Sequence, residues 1–125
     1  FKAINDQYGH ALGDAVLRDL GQTLLATSRR SDVLGRWGGE EFVLLLPETG
    51  LDEAEELAER LRQRVGERMI VHESARVQVT ASFGVAGLGV NQELAALLEA
   101  ADRAMYAAKM AGRNRVVRAV TPTSS

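Results

Sequence analysis

Two glycines followed by two adjacent glutamates, Gly38-Gly39-Glu40-Glu41, are the residues of this chain whose types and spacing could do chemistry. Glycines allow positive φ angles and let a ligand approach the backbone without meeting a Cβ atom. Adjacent carboxylates repel each other unless a cation lies beside them, and carboxylate oxygens suit an Mg²⁺ ion that also binds substrate phosphates. The same residues are also compatible with a plain Gly-Gly turn carrying solvated acids. Spacing alone leaves both interpretations open.

The elements around this motif predict that it lies at the tip of a β-hairpin, between strands at residues 33–37 and 42–46. Helical periodicity predicts two long amphipathic helices at residues 51–65 and 92–111, the second ending at an αL cap on Gly112. A third helix is expected from Asp14 to about residue 27. Each helix has a set of residues predicted to face inward. In chain order, these are Val16, Leu17, Leu20 and Leu24 for the first helix; Leu51, Ala54, Leu57, Ala58, Leu61 and Val65 for the second; and Leu94, Leu97, Leu98, Ala101, Met105 and Ala108 for the third.

Alternation predicts one further strand from Val77 to Val85, and Val116-Val117 is expected to be a short closing strand. Helices on one face of a mostly antiparallel sheet predict an α+β fold of the ferredoxin-like βαββαβ kind, with most of the first strand missing. We expect one domain over residues 1–118 and a flexible tail over 119–125.

Composition excludes several classes of function. The net charge of −2 gives no global field for DNA, RNA or an anionic membrane, so no nucleic-acid partner is expected. The chain has no cysteine, which excludes disulfides and thiolate metal sites. It has no run of apolar residues long enough for a membrane helix and no signal peptide pattern. A cytoplasmic location is expected, although upstream segments of a parent protein could anchor it to a membrane.

Other polar residues have ordinary structural interpretations when they are taken alone. Asn5 suits a turn, and Asp14 suits a helix N-cap or first turn. Lys109 and Arg113 could simply be cations that complement the dipole at a helix C-terminus. The R-x-x-D pattern from Arg29 to Asp32 fits a solvated loop before a strand.

Three motifs together carry a resemblance to a known family. Residues 37–47 resemble the signature hairpin of GGDEF-domain diguanylate cyclases in its GGEEF form. Residues 1–14 are similar to the family's F-K-x-[IV]-N-D-x-x-G-H-x-x-G-D block, and residues 106–114 to its Y-x-A-K-x-x-G-R-N segment. The resemblance implies a nucleotide-cyclase palm-type fold. It also implies an enzyme that condenses two GTP molecules into cyclic di-GMP with release of pyrophosphate.

The resemblance assigns roles to individual residues. Glu40 matches a carboxylate that binds Mg²⁺ or Mn²⁺. Glu41 matches an acid assigned either to the second metal ion or to deprotonating the attacking ribose 3′-hydroxyl, and which of the two glutamates is the base stays open. Asn5 and Asp14 match residues that hydrogen-bond guanine. A carboxylate can accept hydrogen bonds from the N–H groups of this base. The remaining predicted substrate-binding residues are Lys2, Gly38, Gly39, Lys109 and Arg113, of which the lysines and Arg113 match phosphate contacts.

The resemblance also implies partners and regulation. Catalysis in the family requires a second GGDEF domain, each domain holding one GTP, and an upstream sensory or regulatory domain sets the geometry of the homodimer. Arg29, Asp32 and Arg60 match an inhibitory site that binds the product, and arginine suits phosphate and guanine recognition.

One part of the family pattern is missing from this sequence. The family's first strand carries a metal-binding aspartate shortly before the position of Phe1, where this sequence begins. We therefore expect these residues alone to bind Mg²⁺–GTP poorly and to turn over little, and the parent protein to be the active form. The alternative hypothesis is a non-catalytic module that senses GTP or cyclic di-GMP.

Overall fold

The computed structural model describes residues 10–30, 32–36, 41–87 and 93–119. Within these residues the chain forms three helices and six short strands, which pair into three two-stranded sheets. The chain divides into two compact units, Phe1–Glu48 with Arg64–Val79 and Thr49–Gln63 with Thr80–Ser125. None of the helices in the described ranges has both the length and the apolar character to cross a membrane.

Helix α1 of the first unit spans His10–Thr27 and buries one stripe of apolar side chains. Leu12 and Val16, four residues apart, are 2% and 1% exposed, and Leu17 and Leu24 are also buried. The predicted start at Asp14 was wrong, because the stripe already begins at Leu12. Asp14 is consequently an exposed residue inside the helix and neither an N-cap nor a first-turn acid.

The predicted hairpin is confirmed in the same unit. Strand β1 (Val33–Arg36) pairs antiparallel with strand β2 (Phe42–Leu45), with Val33 opposite Leu45 and Arg36 opposite Phe42. Helix α1 approaches the start of β2 at Gly21, where an added Cβ atom would lie 3.6 Å from the Phe42 ring. The Phe42 ring at the start of β2 therefore lies against the helix that carries Asp14.

The single strand predicted over residues 77–85 was wrong. Strand β3 (Ile70–His72) pairs antiparallel with strand β4 (Ala75–Val77) across a tight turn in which Glu73 has a φ of 56°. Residues 78–82 belong to no strand. The alternation of Val77, Val79, Ala81 and Phe83 continues through these residues, but Val77 packs in the core of the first unit with Leu12, Val16 and Ile70.

The second unit contains a strand pair, most of one helix and the whole of another. Helix α2 spans Leu51–Glu67 and helix α3 spans Leu94–Met110, as the periodicity predicted, and Gln92 lies outside the described residues. Strand β5 (Phe83–Val85) pairs parallel with strand β6 (Val116–Arg118), the predicted closing strand. Ala104 and Ala108 of α3 are buried. Arg118 extends from β6 to carboxylates of the first turns of α2, donating to Glu55 at 2.5 Å and also to Asp52.

Candidate functional site

Glu41 is the described member of the predicted pair of metal-binding glutamates. It directly precedes β2 and is partly exposed, next to the Arg36–Phe42 pair that closes the ladder. Gly38, Gly39 and Glu40 lie outside the described residues. Among the residues that are described, no group of three His, Asp or Glu side chains could hold a metal ion. The donor type nevertheless fits Mg²⁺, which takes one or two carboxylates and completes its shell with phosphates and water.

Asp14 is the described member of the predicted guanine-binding pair, and Asn5 and Lys2 fall outside the described ranges. Its side chain is exposed on α1. An ionised carboxylate only accepts hydrogen bonds, which matches the adjacent N1–H and N2–H₂ donors of guanine. The position therefore leaves Asp14 accessible for that role.

Lys109 and Arg113 lie at the C-terminus of α3, on a Schellman-type ending. The Arg113 amide donates to the Ala108 carbonyl at 2.9 Å, and the Gly112 amide donates to the Lys109 carbonyl at 3.4 Å. Gly112 has a φ of 126°, as its predicted capping position requires. Lys109 is partly exposed in the last turn and Arg113 is exposed just beyond it. The helix end thus presents two cations, which agrees with both the phosphate-binding and the dipole interpretation.

The residues after this cap are held in an uncommon conformation. Arg113 and Asn114 have φ angles of 63° and 46°, in the left-handed region that favours glycine and asparagine. The Asn114 Oδ1 atom accepts a hydrogen bond of 2.9 Å from Nη1 of Arg62, which lies on α2. The Phe83 amide donates to the Arg115 carbonyl at 2.9 Å, so the segment is also tied to β5.

Arg62 is in turn fixed by Glu59, one turn earlier on α2. Its Nε lies 3.1 Å and 3.0 Å from the two Glu59 carboxylate oxygens, and its Nη2 lies 2.5 Å from Oε1. The hydrogen bond with Arg62 lowers the pKa of Glu59 and raises that of Arg62. The bond from Arg62 to Asn114 was not predicted from the sequence. The i,i+3 spacing of Glu59 and Arg62 signals the ion pair, but nothing local signals the bond to Asn114.

The predicted inhibitory residues occupy two elements. In the first unit, Asp32 accepts a 2.7 Å hydrogen bond from the Arg29 amide through Oδ2, and its own amide donates to the Arg29 carbonyl at 3.0 Å. The Asp32 Oδ1 atom is buried and has no hydrogen-bond partner among the residues that the structure describes. Arg29 is exposed. In the second unit, Arg60 is exposed on α2. The structure thus assigns Asp32 a local role in holding the turn that carries Arg29.

A groove of about 270 Å³ lies elsewhere in the first unit, lined by Thr23, Ala26, Thr27, Arg64, Glu67 and Arg68. Its arginines are engaged within the protein. Arg68 makes hydrogen bonds of 2.8 Å and 2.6 Å to Asp19, and Arg64 donates to the Thr27 hydroxyl at 3.0 Å. Of the predicted site residues that fall in the described ranges, none lines this groove.

Comparison with protein families gives one match over most of the chain, to the family described as Diguanylate cyclase, GGDEF domain, over residues 1–115. Diguanylate cyclase DgcM of Escherichia coli K12 is 49% identical over 119 residues, 95% of this chain and 28% of that protein. Diguanylate cyclase A of Treponema denticola is 42% identical over 117 residues, 93% of this chain and 32% of that protein. The chain therefore spans less than a third of the length of these two relatives.

Solved structures are similar over a comparable range. The GGDEF domain of DgcB from Caulobacter crescentus in complex with c-di-GMP has a TM-score of 0.90 at 32% identity, covering 94% of this chain and 71% of that one. The active GGEEF domain of a diguanylate cyclase from Vibrio cholerae has a TM-score of 0.85 at 34% identity, covering 96% and 76%. This similarity confirms the predicted palm-type α+β fold.

Proposed function

Because the chain belongs to the diguanylate cyclase GGDEF domain family, we propose that in the full-length protein it condenses two GTP molecules into cyclic di-GMP. The observation that carries the proposal is the β1–β2 hairpin. Its ladder closes at the Arg36–Phe42 pair, so Glu41 directly precedes the first paired residue of β2. The sequence on this hairpin retains both glycines and both carboxylates of the signature.

The metal-binding role falls to Glu40 and Glu41, with Mg²⁺ or Mn²⁺ as the cation. When bound, such an ion neutralises the triphosphate and lowers the pKa of the attacking hydroxyl. The carboxylate donors fit a hard cation, and the partial exposure of Glu41 leaves its oxygens accessible. Gly38 and Gly39 let the nucleotide approach the backbone without meeting a Cβ atom.

Substrate recognition falls to two further groups of residues. Asp14 accepts hydrogen bonds from guanine and Asn5 completes the pairing, which rejects adenine because polar groups that become buried on binding would lose their partners. Lys2, Lys109 and Arg113 neutralise the phosphates. The exposure of Asp14 on α1 and of Arg113 after α3 supports these roles.

The reaction joins two nucleotides held by two such domains. The 3′-hydroxyl oxygen of each GTP attacks the α-phosphorus of the other. Each attack breaks the bond between that α-phosphorus and the oxygen that bridges it to the β-phosphate, and pyrophosphate is released. A glutamate of the hairpin is the candidate acceptor of the hydroxyl proton. A homodimer is therefore required, and an upstream sensory or regulatory domain is the element that would set its geometry.

Product inhibition is the second part of the proposal. Cyclic di-GMP would bind Arg29, Asp32 and Arg60, and the guanidinium groups of the two arginines can pair with phosphate and guanine acceptors. The bond from the Arg29 amide to Asp32 supports this role, since it keeps the turn that carries Arg29 in one conformation. The similar DgcB domain was solved in complex with c-di-GMP.

The test compares Glu41→Gln with Glu67→Gln in the full-length protein, using Mg²⁺ and GTP. Both changes remove one negative charge, and Glu67 is an exposed residue of α2. We expect Glu41→Gln to lower cyclic di-GMP formation by at least about a hundredfold and Glu67→Gln to leave it unchanged. Circular dichroism should show equal helix content in both variants.

Undiminished synthesis by Glu41→Gln would refute the assigned role of the hairpin. Tight GTP binding by the wild-type protein without any product, measured in a dimeric sample, would instead support the sensing module. The two functions are thus separated by one assay of binding and one of turnover.

A further inference from the structure

We propose that Arg62 is a positioning residue that acts through Asn114 to hold Arg113 ready for the GTP phosphates. The inference deepens the proposed function and rests on it, because it takes Arg113 as a phosphate contact. It is carried by a chain of contacts within the second unit, from Glu59 to Arg62 to Asn114.

The first step is the fixing of the Arg62 side chain. Its Nε and Nη2 atoms, which form one edge of the planar guanidinium, bind the Glu59 carboxylate. Only 22% of the Arg62 side chain is exposed. By comparison, Arg103, which pairs with Glu99 one turn earlier on α3, has 76% of its side chain exposed. Because the fork is rigid and planar, binding Glu59 with one edge fixes the direction of Nη1. Arg62 is therefore an oriented donor.

The second step is the contact of this donor with Asn114. Nη1 donates to Oδ1 over 2.9 Å, joining residues 52 positions apart in the chain. Asn114 has a φ of 46° and follows Arg113 at 63° and Gly112 at 126°. Three successive residues at positive φ form a backbone path that non-glycine residues adopt rarely and at an energetic cost. The bond from Arg62 is a side-chain contact that holds this path at its C-terminal end.

The third step concerns Arg113 itself. Its amide is bound to Ala108 at 2.9 Å and its carbonyl accepts from Arg115 Nε at 3.1 Å, while its side chain is exposed. The backbone is thus fixed on both sides and the guanidinium projects from it. A phosphate contact made from a fixed backbone loses less conformational entropy on binding than one made from a mobile loop. Arg62 supplies part of that fixation.

The experiment uses the full-length protein and two variants that keep the local charge. Arg62→Lys retains the cation but loses the planar fork that reaches Glu59 and Asn114 together. Asn114→Gly retains access to positive φ but loses the Oδ1 acceptor. Gln63→Ala is the matched control, since Gln63 is the next residue of α2 and contacts the same Glu59 oxygen at 3.4 Å without a bond to Asn114.

GTP affinity, measured by calorimetry with Mg²⁺, is the primary readout, and KM and kcat are determined alongside it. We expect Arg62→Lys and Asn114→Gly each to weaken GTP affinity and raise KM by about tenfold, with kcat changed by less than about twofold. Gln63→Ala should match the wild type. In an Arg113→Ala background, Arg62→Lys should have no further effect on affinity, because its action passes through Arg113.

The inference would be overturned if Arg62→Lys bound GTP with wild-type affinity. It would also be overturned if Arg62→Lys weakened GTP affinity by the same factor in the wild-type and in the Arg113→Ala background. The second result would assign Arg62 a general structural role. A wild-type protein that binds GTP without forming product would refute the proposed synthesis, yet the affinity comparison would still decide the role of Arg62. A wild-type protein that does not bind GTP would refute both.

Discussion

Gly84 of β5 lies so close to α3 that an added Cβ atom would be 2.1 Å from the Ala101 carbonyl oxygen and 2.3 Å from the Met105 amide nitrogen. Such distances are far below van der Waals contact, and the obstructing atoms are backbone. The strand and the helix therefore touch main chain to main chain at this point. Since β5 also binds Arg115 through the Phe83 amide, this contact fixes the strand against which the segment carrying Arg113 is held.

The first prediction is that Gly84→Ala destabilises the protein by at least about 2 kcal/mol, because strand or helix must move to admit the methyl group. Chemical denaturation in urea measures the change. Gly35→Ala is the matched control, since Gly35 also lies in a strand and, apart from its chain neighbours, no heavy atom of the described residues lies within 4 Å of an added Cβ. Its effect should stay within about 0.5 kcal/mol. Equal stabilities of the two variants would contradict the close packing.

The second prediction concerns acid unfolding and the Glu59–Arg62 pair. The hydrogen bond from Arg62 lowers the pKa of Glu59 below its ordinary value of 4.5. A group with a lowered folded-state pKa stabilises the protein above its unfolded pKa, and this contribution disappears as pH falls through the folded value. Because the Glu59 side chain is 44% exposed, we expect Glu59→Gln to cost less than about 1 kcal/mol at pH 7.

The difference between Glu59→Gln and wild type should be complete above pH 4.5 and shrink below it. Urea unfolding at a series of pH values measures this difference. In an Arg62→Met background the same substitution should lose most of its pH dependence, because the guanidinium that lowers the pKa is gone. A pH-dependent difference that survives the removal of Arg62 would assign the effect to another group.

The elements of the fold were predictable where one periodic pattern was long enough to bury a face. The stripe of α2 that includes Leu61 and Val65, each 2% exposed, identifies its helix directly. Strand β3 has only three residues, too few for a pattern. The break between β4 and β5 was hidden because alternation persists from Val77 to Phe83 while the two strands pair with different partners.

Candidate site residues could be identified from the sequence only where a short motif carries the chemistry. The motif around Glu41 and the segment ending in Arg113-Asn114 stand in the sequence as contiguous patterns. The bond from Arg62 to Asn114 spans 52 positions, and the contact of Gly84 with Ala101 depends on how a strand meets a helix. Neither has a local signal, because both are properties of the packed chain.

The third prediction tests the inhibitory site separately from catalysis. Arg29→Ala removes the guanidinium but keeps the amide that donates to Asp32, so the turn should persist. Loss of a charged hydrogen-bonding group should weaken cyclic di-GMP binding by at least about tenfold in calorimetry. Initial rates without added product should be unchanged, and added product should inhibit less. Arg30→Ala, at the adjacent exposed position, should bind cyclic di-GMP like the wild type.

The fourth prediction tests nucleotide recognition by α1. Asp14 is a solvent-exposed residue of the helix interior and not a cap. Asp14→Asn should therefore change the free energy of unfolding by less than about 0.5 kcal/mol. The substitution replaces one carboxylate oxygen, a hydrogen-bond acceptor, with an NH₂ group, a donor. This donor faces a donor of guanine, so one N–H group of the base is left unpaired. We expect KM for GTP to rise by at least about tenfold while the preference over ATP falls.

Asp102→Asn, an exposed aspartate of α3, is the control for the loss of one negative charge, and it should leave both KM and nucleotide preference unchanged. Steady-state rates with GTP and with ATP in the same buffer provide the comparison. If Asp14→Asn retained the wild-type preference for GTP, the base would have to be recognised elsewhere. Because the substitution leaves the helix and its buried stripe intact, such a result could not be attributed to misfolding.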